Sequence, residues 1–393
     1  MHNNNILNLL NLQGVILKKD LYSKNLIELW LEYPTKEHIC PSCNSPTSRV
    51  HDYYTRSFNH IMVGKRTTKI YYKQRRYVCM HCGKRFAEMN SFIQKFFRHS
   101  NDVVNNVFDD LTSIKNLSQI GNDNNMSSQN VSRLMNKFMP IFHNTTSLPE
   151  AIGIDEFKGN SGGNKFQVVI TNLKTHKVID VISARSEDAL YNFFKKISNP
   201  KDVKLVAMDL SLFFKKIITD CLPNAKIIAD TFHFTRLMHW ALDNVRKDVQ
   251  KGLPKDMRIY FKRSRSVLHK RINNLNPDEY NQLTNMLDYN ENLRWAYSIV
   301  QNLFEIIDEK NPDKKVSLFR EFMTYASNCD LPEFNKHIQT FFKWHKYIIN
   351  SFYTNFSNGI TEGLNTKIKT LKRVSFGFRN FQNFRLRILM ACS

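Results

Sequence analysis

The sequence predicts a multidomain chain of mixed α+β and α/β class. An N-terminal zinc-binding β module and a helix-turn-helix precede a mixed-sheet domain that carries an all-α insertion. Three observations predict it. Two Cys-x-x-Cys pairs, Cys40/Cys43 and Cys79/Cys82, bracket residues with strand alternation. Residues 101–138 change to helical periods with little β-branching. Residues 150–235 alternate short apolar strands with helices, and residues 236–352 then look wholly helical. A chain of 393 residues suits roughly two to four domains.

The first element is Asn25–Tyr33, where Ile27, Leu29 and Leu31 face one way and Leu26, Glu28, Trp30 and Glu32 the other. That is a half-buried strand, ended by Pro34. Four thiolates in two knuckles suit one tetrahedral zinc ion, and Pro41 and Gly83 suit the tight turns. The long gap between the pairs leaves room for basic strands over residues 65–76. His38 and His81 read as bystanders, and Cys221, Cys329 and Cys392 as isolated thiols. Disulfides are the alternative, opposed by a reducing cytosol. The expected boundaries are 1–98 for this module, 99–148 for the helix-turn-helix, 149–238 and 353–393 for the mixed-sheet core, and 239–352 for the insertion.

The segment from Leu117 to Leu134 has the layout of two short helices joined by a turn. Ser127 is a good N-cap for the second, and Val131 with Leu134 would be its buried side. Gln129, Ser132 and Arg133 are then left on the open face, with side chains suited to base edges and phosphates. A plain helical hairpin is the alternative.

Charge sharpens the choice of partner. The chain has 57 Lys+Arg against 35 Asp+Glu, a formal net charge of +22. Such an excess favours a polyanion, because each neutralised phosphate releases condensed counterions. No apolar run approaches the roughly 20 residues a membrane helix needs, and the N-terminus lacks a charged-then-apolar signal. Nucleic acid is the expected partner, no membrane is expected, and a cytoplasmic location follows.

Next come three carboxylates. Asp155 ends the apolar run Ala-Ile-Gly-Ile-Asp155, Asp209 ends Val-Lys-Leu-Val-Ala-Met-Asp209, and Glu362 opens a basic helix in Asn358-Gly-Ile-Thr-Glu362-Gly-Leu-Asn365. Strands are expected at Ile152–Asp155, Phe166–Asn172, Val178–Ala184, Leu205–Asp209 and Lys226–Ala229. Helices are expected at Glu187–Ile197 and Leu212–Leu222. Three strands, a helix, a strand, a helix and a strand is the chain order of an RNase H-like fold. There the first and fourth strands are neighbours, so Asp155 and Asp209 would lie side by side. Pro254, Pro277, Pro312 and Pro332 mark breaks between helices of the insertion.

These segments resemble the DDE transposases of bacterial insertion sequences, specifically the ISL-three group. The resemblance rests on both cysteine pairs, the helix-turn-helix, Gly-Ile-Asp155-Glu-Phe-Lys, and Ile-Ile-Ala-Asp230-Thr-Phe-His233-Phe. Its most specific part is the run from Asn358 through Glu362, Asn365, Lys369 and Lys372 to Arg373. It implies a transposase that binds the terminal inverted repeats of its element and performs metal-dependent strand cleavage and transfer. It further implies structural Zn²⁺, catalytic Mg²⁺ or Mn²⁺, double-stranded DNA as partner (repeats and target), and a homodimer or higher oligomer on paired ends. By the same resemblance Asp155 bridges two metal ions, with Asp209 completing one site and Glu362 the other. Asp230 is the rival to Asp209, as a neighbouring acid or as the group that orients His233. Asn365 would support the acids, while Lys369, Lys372 and Arg373 would hold phosphates. A non-catalytic DNA-binding regulator, or a domesticated transposase, is the alternative.

Overall fold

A computed structural model describes residues 2–138 and 145–392, apart from the side chains of 2–5 and 138. The chain forms two compact units. One comprises Met1–His143, Thr370–Gly377 and Gln382–Ala391; the other comprises Asn144–Lys369, Phe378–Phe381 and Cys392–Ser393. Among the described residues, no helix is long and apolar enough to cross a membrane.

The first unit begins with α1 (His2–Leu9), β1 (Ile16–Tyr22), β2 (Leu26–Glu32), β3 (His38–Ile39) and β4 (Pro46–Thr47). A long hairpin follows, of β5 (Val50–Val63) and β6 (Arg66–Val78), and then β7 (Arg85–Ala87). The sheet order is β1-β2-β6-β5, with β7 paired to β6. Alternation in β2 works as expected: Ile27, Leu29 and Leu31 are buried and pack with Ile70, Tyr72 and Phe58. Gly64, at φ 63, makes the two-residue hairpin turn. On the open face, Trp30 and Tyr71 stack at 4.7 Å, with Lys19 over the first ring and Lys69 over the second.

The two cysteine pairs form matching knuckles. Cys40 and Cys79 each accept a backbone N–H four residues on, from Asn44 and Gly83, and those residues carry the positive φ values of 57 and 72. The four sulfurs lie within 4.8 Å of one another, with Cys40–Cys82 at 3.6 Å and Cys43–Cys79 at 3.5 Å. A tetrahedral ion with Zn–S bonds of about 2.3 Å spaces its sulfurs by about 3.8 Å, so the donor set fits zinc. Hydrogen bonds from Ser45 lower the Cys43 thiol to about 5. The Lys84 amide acts to lower Cys82 as well, but the crowded sulfurs outweigh it and push it up to about 12. A cation is what lets all four thiolates coexist.

Three helices continue the unit: α2 (Asn101–Thr112), α3 (Leu117–Asp123) and α4 (Ser128–Phe138). A capping box of Asn116 and Gln119 starts α3, and the Ser127 hydroxyl accepts from the Asn130 amide at the start of α4. Gly121 is required at the junction, because a Cβ there would lie 2.5 Å from the Met126 carbonyl oxygen. Val131, Leu134 and Met135 pack with Ile120, Val107 and Leu111. Arg387 is fully buried and donates to the carbonyls of Leu111, Ser113 and Lys115, satisfying acceptors at and just past the C-terminus of α2.

The second unit is built on β8 (Ala151–Phe157), β9 (Gln167–Asn172), β10 (Lys177–Ile182), β11 (Leu205–Met208) and β12 (Lys226–Ala229). Their order is β10-β9-β8-β11-β12, antiparallel on the β9 side and parallel from β8 to β12. The first and fourth strands of this sheet are therefore neighbours. Helix α5 (Glu187–Phe194) follows β10, and α6 (Leu212–Cys221) connects β11 to β12. Helix α7 (Thr231–Lys251) leaves β12 directly and runs unbroken across residue 239. It leads into α8 (Lys255–Arg263), α9 (Arg265–Leu268), α10 (Pro277–Tyr289), α11 (Glu291–Asp308), α12 (Pro312–Ser327) and α13 (Pro332–Phe352). Pro277, Pro312 and Pro332 each occupy the first helical position, where a missing N–H costs nothing. One apolar core joins the sheet to these helices, from Ile154 and Val206 to Phe319 and Phe341. Helices α14 (Gly359–Val374) and α15 (Phe381–Cys392) end the chain.

Within this helical region, His239 and His269 stack at 4.7 Å, each with a buried Nε2 that has no hydrogen-bond partner among the described residues. Burial, then repulsion by His269, lowers His239 to about 4, and burial also lowers His269. The unfolded chain therefore binds more protons, so stability falls as pH drops from the ordinary histidine value of about 6.5 toward 4. Thermal melts should show this loss, and His239→Phe should flatten it. An unchanged pH slope in the variant would contradict the assignment.

Candidate active site

Strand register brings three aspartates to one level. Ala207 pairs with Gly153, and Met208 with Ala229. Continued by one or two residues, these ladders set Asp155, Asp209 and Asp230 side by side on adjacent chains. Neighbouring chains lie about 4.8 Å apart and the outer two about 10 Å apart. Asp155 does not end its strand as the sequence suggested. β8 runs two residues further, paired only with β9, while β11 stops at Met208, one residue before Asp209.

Glu362 reaches the same place from the first turn of α14, which is seated on the sheet through a missing side chain. A Cβ on Gly153 would overlap Thr361 Oγ1 and lie 2.6 Å from Thr171 Oγ1. The two threonine hydroxyls share a 2.8 Å hydrogen bond. Gly153→Ala should therefore lift the helix start, costing about 1–3 kcal/mol by overpacking and more activity than that loss explains. Gly363, with nothing near its Cβ direction, is the contrast: Gly363→Ala should stabilise by about 0.5–1 kcal/mol. Melting curves of the pair check this, and equal shifts would contradict the seating.

The side chains converge. Asp155 Oδ2 accepts from Asn365 Nδ2 at 2.7 Å, and Asp155 Oδ1 accepts from the Glu156 amide at 2.7 Å. His233 Nδ1 lies 3.0 Å from Asp230 Oδ2, and its Nε2 lies 3.7 Å from Glu362 Oε1. Ligand atoms of Asp230, His233 and Glu362 fall within 4.8 Å of one another. Asp209 Oδ1 is buried with no hydrogen-bond partner among the described residues. Glu156 is engaged elsewhere, paired to Arg185.

Electrostatics show a cluster under strain. Burial raises Asp155, and the nearby Glu362 adds to it. Burial, then Asp155, raises Asp209; burial, then Asp230, raises Glu362. Burial acts to lower His233, but its hydrogen bond and charge contact with Asp230 outweigh that and raise it. Anionic groups pushed toward protonation while one keeps an orphaned oxygen form a donor set of the kind a hard cation relieves.

Other expected residues fall as follows. Lys369 is exposed on α14 and close enough to lower Glu362 electrostatically. Lys372 and Arg373 occupy the last turn of α14, while Ile368 and Leu371 are its buried side. Gln129 and Arg133 are exposed on α4, and Ser132 is half-buried. Asn365 is buried rather than part of a solvated stripe. Sequence reasoning missed Arg236, whose charge reaches both Asp209 and Glu362, and the Gly153–Thr361–Thr171 seat. A glycine among buried β-branched residues was the available signal for the seat.

Comparison with known proteins gives two family matches. A family described as transposase matches residues 152–388, more than half of the chain. A family described as zinc-finger of transposase IS204/IS1001/IS1096/IS1165 matches residues 36–82, which contain both knuckles. The transposase for insertion sequence element IS1001 of Bordetella parapertussis is 22% identical over 386 residues, covering 93% of this chain and 91% of its own. The transposase for IS1557 of Mycobacterium tuberculosis is 23% identical over 257 residues, covering 59% of this chain and 57% of its own. A Lactococcus lactis protein named ATP-dependent protease is 39% identical over 99 residues, a quarter of this chain.

Proposed function

Because the chain belongs to the ISL3 family of insertion-sequence transposases, we propose that it cuts and joins DNA with Asp155, Asp209 and Glu362 as a DDE triad in an RNase H-like core. The observation that carries this reading is the orphaned, buried Asp209 oxygen beside Asp155, in a cluster where burial and neighbouring acids raise Asp155, Asp209 and Glu362. Asp230 is already committed to His233, which favours Asp209 as the ligand.

Mg²⁺ or Mn²⁺ held by these three carboxylates would supply activation of the attacking water or 3′-hydroxyl and stabilisation of the leaving oxygen. The chain's own groups do the rest. Asn365 fixes the Asp155 carboxylate, leaving its other lone pairs for the site. Asp230 fixes the His233 ring and raises its pKa, favouring the protonated form whose Nε2 can donate to a phosphate oxygen. Lys369 and Arg236 add positive charge around the acids for the DNA backbone. The helix-turn-helix reads the terminal inverted repeats through Gln129, Ser132 and Arg133, while Lys372 and Arg373 hold phosphates. The zinc module adds a basic, aromatic sheet face. Two ends must be processed together, so assembly as a homodimer or higher oligomer on paired ends is part of the proposal.

The test is an assay of purified protein on duplexes carrying the element's ends. Expected is strand cleavage that needs Mg²⁺ or Mn²⁺ and leaves a 3′-hydroxyl, which then attacks a target phosphodiester so that the end is joined and a target 3′-hydroxyl is released. End binding without any cleavage, with the metal present, would favour the non-catalytic regulator.

A further inference from the structure

Helix α7 starts immediately after Asp230 and carries Phe232, Arg236 and Trp240 at successive four-residue steps, on one face. Both rings are exposed, Phe232 by 54% and Trp240 by 47%. The Arg236 guanidinium lies 5.3 Å from the Phe232 ring centre and 5.0 Å from that of Trp240. Three flat groups thus form a ladder about 12 Å long, at about 6 Å per helical step. A core stripe would be buried, and single exposed aromatics need no account. This one is continuous and exposed, and it is spaced by a cation whose buried Nε has no hydrogen-bond partner among the described residues.

Its position gives it a use. At one end Phe232 meets the His233 ring at 5.7 Å, and Arg236 acts electrostatically on Asp209 and Glu362. At the other end Trp240 walls a cleft of about 340 Å³ that Asn244, Lys247, Lys336 and His337 also line, with Asp243 and Glu333. Asp243 is neutralised by Arg246, Lys247 and Arg265. Bases inside a duplex already stack on each other and cannot reach such rings, whereas unpaired bases can.

We propose that Phe232, Arg236 and Trp240 form a stacking platform for unpaired bases of the DNA strand beside the scissile phosphate. The platform rests on the transposase reading of the carboxylate cluster and adds a binding subsite to it. Ring faces take any base, so the subsite is sequence-tolerant, and Arg236 supplies both a stacking plane and a charge for the backbone.

The test uses the full-length protein and an oligothymidylate. Trp240 is one of 4 tryptophans, and stacking on it should quench intrinsic fluorescence. Trp240→Phe should bind nearly as well but lose most of the quench. The double variant Phe232→Ala/Trp240→Ala should bind the oligothymidylate about tenfold or more weakly. Its melting temperature and its affinity for duplex ends should stay unchanged. Equal single-strand affinity in wild type and double variant would overturn the platform. Wild-type protein that cuts no end yet shows the ring-dependent binding would sink the cleavage reading and leave the platform standing. Normal cleavage and normal single-strand binding by the double variant would do the reverse.

Discussion

Asp155→Asn, Asp209→Asn and Glu362→Gln should each reduce metal-dependent strand cleavage on the order of 10³-fold or more, with end binding retained. The physical reason is that each replacement keeps shape but removes an anionic oxygen from a set whose only use is shared. The same argument yields a less obvious expectation for stability. Folding raises these carboxyls above their ordinary values, so the folded chain resists their ionisation, and at neutral pH that resistance is a cost. A neutral amide lifts the cost, so the metal-free variants should melt at the same temperature as wild type or higher. Inactive and more stable is the signature of a strained functional site. Asp230→Asn and His233→Gln act one step removed, by freeing or deleting the ring that faces Glu362, and should cost about 10–100-fold. Were Asp209→Asn to cut normally while Asp230→Asn did not, the second ligand would be Asp230.

Withdrawing zinc should have the other large effect. Each knuckle is held by backbone bonds to one cysteine, a short strand pair and the buried Tyr77 ring between His38 and Phe86, so the ion supplies much of the local folding free energy. In zinc-finger peptides that amounts to about 10–16 kcal/mol. Cys40→Ser, or a zinc-selective chelator, should unfold the knuckles at residues 38–47 and 79–87, release the ion and abolish specific end binding. The chain should carry about one zinc, as measured by atomic emission. A separate transition for the sheet and helices around Phe319 and Phe341 should survive, because that core contains no part of the knuckles. Retained end binding after complete zinc loss would contradict the module's role.

Legibility tracked the length scale of the interaction. Apolar runs such as Leu205–Met208 and Lys226–Ala229, and the prolines that open α10, α12 and α13, were readable because burial and backbone chemistry act locally. Zinc spacing was readable for the same reason. β5 was not, since none of residues 50–57 is buried and its first half therefore shows no apolar face. The extension of β8 past Asp155 depends on β9, a partner that sequence does not display. Arg387 looks like any tail cation until its three carbonyl partners, more than 270 residues away, are in place. The three acids and Asp230 were readable as residue types. Strand order also placed Asp155 beside Asp209, and orienting His233 was one of two readings for Asp230; the level of Asp230 across the sheet and the glycine that admits α14 come only from register and packing.

Manganese and its anomalous scattering give the most direct test. In crystals of the protein with Mn²⁺ and a cleaved DNA end, the account places density within about 2.2 Å of carboxylate oxygens from Asp155, Asp209 and Glu362 together. Density held by Asp230, His233 and Glu362 alone, with Asp155 and Asp209 left without metal, would contradict it.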